Sequence, residues 1–201
     1  MRTLFFVTLF LCSTFLFAQR REARFIHPGL IRNSLTITPA TLFEPAVRNI
    51  YLHGTLEGYV DSSLSLRGDG FYFLNTLGTN KPFKFNHSFF AGASYHFKTN
   101  NHFDPYFGIE PGVSITQLNT PEILTQGNEI FIIHESTTKA NPLFSEVIGF
   151  NYYAPKWFHI FVEARYVSGR HMSGYSSTQS LNELRFSFGL GWNINVLRTN
   201  K

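Results

Sequence analysis

Apolar and polar residues alternate singly along most of this chain, and the longest such run is the last. Leu184, Phe186, Phe188, Leu190, Trp192, Ile194 and Val196 stand at every second position, with Arg185, Ser187, Gly189, Gly191, Asn193 and Asn195 between them. A period of two sends successive side chains to opposite faces, so the segment predicts a strand with one wholly apolar face. Phe107, Ile109, Pro111, Val113 and Ile115 repeat the pattern against Tyr106, Gly108, Glu110, Gly112 and Ser114, with Pro111 tolerable at a bulge. Less regular versions cover residues 50–60, 64–74, 89–97, 143–153 and 158–167, and Glu146 is out of place on its segment. A weaker strand over 34–43 is interrupted by Pro39. The pattern predicts an all-β fold of eight antiparallel strands in up-and-down order, closed as a transmembrane β-barrel.

The connections predict its orientation. Those near Asp61, from Lys98 to Pro105 and around Pro155 are short, whereas the third, fifth and seventh are longer. Short periplasmic turns and long external loops are the rule for bacterial barrels. Both termini are then expected in the periplasm.

The amino terminus supports export. Arg2 precedes an apolar stretch from Leu4 to Phe17 that ends at Ala18, the layout of a secretory signal and too short for a membrane-spanning helix. The expected organisation is a signal peptide over 1–18, a periplasmic segment over 19–33 and an outer-membrane barrel domain over 34–201. Cys12, the sole cysteine, leaves with the signal, so neither a disulfide nor a thiolate metal site is expected. Arg20, Arg21 and Arg24 read as a solvated tail, and nothing argues for nucleic acid.

Alternation alone is equally compatible with a soluble, exported, lipocalin-like binding barrel, apolar inside. Lysine placement favours lipid: all six lysines (Lys81, Lys84, Lys98, Lys139, Lys156 and Lys201) are assigned to turns, loops or the tail. Tyr95, Phe97, Tyr106, Tyr152, Tyr153, Trp157 and Phe158 gather near the short turns, where an aromatic girdle belongs. With lipid on the apolar faces, the inward charges are Glu57, Arg67, Asp69, Glu110, Glu163, Arg165, Glu183 and Arg185, with His53, His96 and His159 nearby. Buried charges must pair, so this set is expected to be a salt-bridged plug in a narrow lumen. A three-residue turn at Asp61, Ser62 and Ser63 would set Glu57 opposite Arg67 as a direct ion pair and Thr55 opposite Asp69.

The segments "NIYLHGTLEGYV", "SLSLRGDGFYFLN", "FFAGASYHF", "FDPYFGIEPGVSITQ", "GFNYYAPKWFHIFVEARY" and "LRFSFGLGWNI" resemble outer-membrane β-barrel proteins of Bacteroidetes-type bacteria. More distantly they resemble the small OmpA/OmpX-type barrels. The resemblance covers residues 34 to 196 and implies residence in the outer membrane of a Gram-negative bacterium, without a catalytic motif. A second resemblance, to outer-membrane lipid A deacylases, rests on His171 and Ser173 with Glu183. It implies Ser173 as nucleophile, His171 as base and Glu183 as orienter. Gly174 departs from that family's pattern, and a non-enzymatic structural or surface-interaction role is the expectation. Neither cofactor nor metal is expected. The expected partners are outer-membrane lipid and lipopolysaccharide, with the loops near 118–141 and 168–182 available to extracellular ligands, and a monomer is expected.

Overall fold

The structure, a computed structural model, describes residues 25–99, 102–119, 122–126, 129–133, 136–154, 157–172 and 179–196. The signal-peptide segment 1–18 lies outside the described residues. Eight long strands close into an antiparallel barrel: β1 (Leu30–Leu42), β2 (Val47–Tyr59), β3 (Leu64–Leu77), β4 (Phe83–His96), β5 (Phe103–Leu118), β8 (Lys139–Tyr153), β9 (Phe158–Gly169) and β10 (Glu183–Asn195). A separate hairpin, β6 (Glu122–Gln126) and β7 (Glu129–Ile133), rises from the β5–β8 connection.

Cross-strand partners fix the barrel's geometry. From Ile31 they lead through Gly58, Leu66, Ala93, Ile109, Glu146, Tyr166 and Leu184 back to Thr41. Thr41 lies ten residues beyond the starting point, and a stagger of ten over eight strands tilts them by about 40°. An interior of this size is just wide enough to be filled by side chains.

The apolar set faces outward. Leu35, Leu56, Leu66, Tyr72, Phe186, Phe188 and Leu190 are all more than half exposed, while inward positions of the same strands carry Thr38, His53, Glu57, Arg67, Asp69, Arg185 and Ser187, all buried. This is the reverse of the lipocalin arrangement.

Several expectations are corrected. The first strand starts at Leu30 rather than 34, because the alternation Leu30, Arg32, Ser34 already lies in ladders with β2 and β10. The third connection is short, residues 78–82, because a bulge at Phe83 and Phe85 lets β4 start early. Lys84 therefore sits on β4, and Lys139 opens β8, each within two residues of a strand's start. Tyr106 and Tyr153 are not girdle residues; both are buried in the lumen, on the inward parity of β5 and β8.

The long-loop end of the lumen is apolar rather than polar. Leu42, Val47, Phe73, Phe83, Leu118 and Leu143 form a buried cluster there. The bulge beside Tyr51 contributes, since Tyr51 pairs with Phe73 while Ile50 skips to Asn75.

Candidate functional site

Beneath the apolar cap the lumen is polar, and its charges fall into three tiers. In the upper tier Arg185 Nε donates to Glu183 Oε2 at 2.8 Å, and Asn49 and Tyr51 also donate to Glu183, at 2.6 and 2.9 Å. The Arg185 guanidinium lies 4.4 Å from the ring centroids of both Tyr51 and Phe71, where the ring faces attract a cation. Its Nη1 reaches Ser88 Oγ at 2.8 Å.

In the middle tier Asp69 accepts from Arg67 Nε at 2.7 Å and from Arg165 Nη2 at 2.8 Å, with His53 Nε2 at 2.7 Å. Arg165 Nη1 also donates to Glu110 at 2.7 Å and to Ser145 at 2.7 Å. Arg67 Nη2 binds Glu163, which accepts from Tyr106 at 2.9 Å as well. Strands β3, β5 and β9 each supply a carboxylate here, so the tier ties distant walls of the barrel together.

The lower tier holds two charged residues absent from the sequence-based set. Arg32 on β1 binds Glu57, which also accepts from Ser65 and has His96 Nε2 at 2.9 Å. His96 Nδ1 lies 2.7 Å from Asp104, and Asp104 accepts from Tyr59, Asn151 and Tyr153 at 2.9, 2.9 and 3.1 Å. Phe25 stacks on Tyr153 at 4.4 Å, at this end of the lumen. Parity could have found both missing residues. Arg32 continues the inward series of β1, and Asp104 precedes Tyr106 and Glu110 on β5 behind Pro105.

All eight sequence-derived lumen residues face inward and are buried. The Asp61 turn sets Glu57 opposite Arg67 and Thr55 opposite Asp69, with Asp61 Oδ1 accepting from the Ser63 and Leu64 amides. The expected direct pair does not form, because each partner finds a better-placed opposite charge: Arg32 for Glu57, Asp69 and Glu163 for Arg67. Among Arg32, Thr55, Tyr106, Asn151, His159 and Glu163 a cavity of about 10 Å³ is left, the space of a single water.

His171 Nδ1 lies 2.7 Å from Thr116 Oγ1, while Glu183 is engaged by Arg185, Tyr51 and Asn49. Ser173 lies outside the described residues.

No family model matches the chain, and no curated protein matches it. Among solved structures it is similar to the outer membrane protein OprG from Pseudomonas aeruginosa, with a TM-score of 0.59 at 11% identity over 87% of this chain and 100% of that one. Neisserial surface protein A gives 0.56 at 11% identity over 83% and 96%. Ail, the attachment invasion locus protein of Yersinia pestis, gives 0.52 at 9% identity over 83% and 99%. At such identities the likeness is one of fold: the chain has the closed eight-stranded barrel of outer-membrane proteins.

Proposed function

We propose that this protein is a non-enzymatic resident of a Gram-negative outer membrane, of Bacteroidetes type, with a closed lumen and a structural or surface-interaction role. On this reading residues 1–18 are a cleaved signal, 19–29 lie in the periplasm, and the barrel begins with β1. The charge tiers carry the reading. A conducting lumen presents its charges to water, whereas here six carboxylates are held by four guanidiniums, two histidines and neighbouring hydroxyls and amides inside the wall. Breaking such pairs to admit water costs several kcal/mol for each ion left alone. The apolar cap adds a second obstruction at the loop end.

With the interior filled, contact with the outside falls to the connections near 118–141 and 168–182, which would meet lipopolysaccharide or extracellular ligands. Planar-bilayer recording of the purified, refolded protein tests the reading. We expect no stable channel; a steady porin-like current would overturn it.

A further inference from the structure

Glu146 stands on the face of the barrel that meets lipid. Even positions of β8 point outward, and Glu146 is the eighth of that strand's 15 residues, so its exposed carboxyl leaves the wall at mid-height. Its surroundings on that face are Phe144, Ile148, Ile109 on β5 and Tyr166 on β9, the last two its direct cross-strand partners. Among the described residues no donor reaches the carboxyl.

No other acidic or basic side chain on the barrel strands shares this position. Arg48, Lys84 and Lys139 lie within the first two residues of β2, β4 and β8, at headgroup level, and the remaining charges of these strands face the lumen. His87, also outward, accepts from the Phe73 amide at 3.1 Å. A carboxyl in hydrocarbon is costly without a hydrogen-bonding partner, and an intramembrane ionisable group marks a contact.

We propose that Glu146 is the centre of an interface with a second copy of this chain, formed by the outer faces of β8 and β9. The inference rests on residence in a bilayer. Two copies inserted in the same direction are related by an axis along the membrane normal, so each residue keeps its height and meets only groups at that height. Near mid-height the neighbour's outward polar side chains are Glu146, the adjoining Tyr166, which is 40% exposed, and Tyr72 on β3, whose ring stacks on His87. A two-fold contact brings a residue on the axis against its own counterpart. The two carboxyls then hydrogen-bond each other, or each accepts from the neighbour's tyrosine hydroxyl. Ala164, diagonal to Glu146 on β9, leaves room for close approach.

The full mature chain in lipid vesicles, labelled for energy transfer between copies and titrated by lipid dilution, tests this. We expect Glu146→Leu to raise the dimer dissociation constant at least tenfold, and Glu146→Gln to change it less than threefold, because the amide both donates and accepts. Leucine suits lipid, and the electrophoretic shift of the folded barrel verifies that each variant folds. Disulfide cross-linking should join copies through Ala164→Cys and not through Leu56→Cys on β2, three strands from β9 and four from β8 around the barrel. Wild-type protein that stays monomeric at every density overturns the proposal. So does equal association of Glu146→Leu, or cross-linking of Ala164→Cys in cells only to a different protein.

Discussion

Glu57 and Arg67 face each other across the β2–β3 ladder without forming an ion pair. Glu57 is bound by Arg32 and lies 2.9 Å from His96, while Arg67 turns along its own strand to Asp69 and across the lumen to Glu163. Cross-strand register decides which side chains are neighbours. In a narrow lumen, a residue four strands away around the wall, as Glu163 on β9 is from Arg67 on β3, competes on equal terms.

A double-mutant cycle separates these partners. Arg32→Met or Glu57→Gln alone should destabilise the refolded barrel by about 3–5 kcal/mol, since each strands a buried charge. The double variant should cost clearly less than the sum of the two, whereas Glu57→Gln and Arg67→Met should combine closer to additively. Denaturant unfolding in detergent measures both cycles. Larger coupling for Glu57 with Arg67 than for Glu57 with Arg32 would contradict the tiers.

Strand number, inward parity and the Asp61 turn were legible because period-two alternation fixes which side each residue takes once the turn length is known. Arg32 and Asp104 were missed where a proline or the unassigned amino-terminal segment hid the strand's true start. The apolar cap was missed for another reason. A uniform rule of polar inside ignores the loop end of a barrel, where Phe71, Phe73 and Phe90 fill the lumen without needing partners. The pairs that cross the lumen, Arg67 with Glu163 and Arg165 with Asp69 and Glu110, were not legible, since they join strands far apart in sequence.

Gly149 faces Tyr106 across the β5–β8 ladder, and a Cβ at Gly149 would lie 2.6 Å from the tyrosine oxygen. The ring occupies the space a side chain would take, and its hydroxyl reaches Glu163. Gly149→Ala should cost about 1–3 kcal/mol of unfolding free energy by overpacking, and less in a Tyr106→Leu background. An equal penalty in both backgrounds would mean the clash is with the Val162 carbonyl at 2.7 Å instead.

Phe188 is 67% exposed near the middle of β10. If that face meets hydrocarbon, Phe188→Lys should destabilise the barrel in lipid vesicles by about 2–4 kcal/mol. On a water-facing surface the same change would be nearly neutral. Comparing unfolding of the two proteins in vesicles distinguishes the environments directly.

The last prediction concerns which end of the barrel faces outward. At one end the connections are short, residues 60–63 and 97–102 among them, and Leu30 pairs there with Asn195, the first residue of β1 with the last of β10. At the other end the chain spends residues 119–138 and 170–182 on two long connections, and the shorter Gly78–Pro82 link sits beside them. Bacterial barrels have short turns in the periplasm and long loops outside, which would place Ser62 inside and Thr79 outside. Both positions lie in connections rather than on a wall, so a cysteine at either should leave the barrel intact. In whole cells a membrane-impermeant maleimide should therefore label Thr79→Cys and spare Ser62→Cys, while both should react once the outer membrane is opened. Labelling of Ser62→Cys alone in intact cells would invert the barrel. The two long connections would then point at the periplasm, and the proposed contact with extracellular ligands would lose its basis.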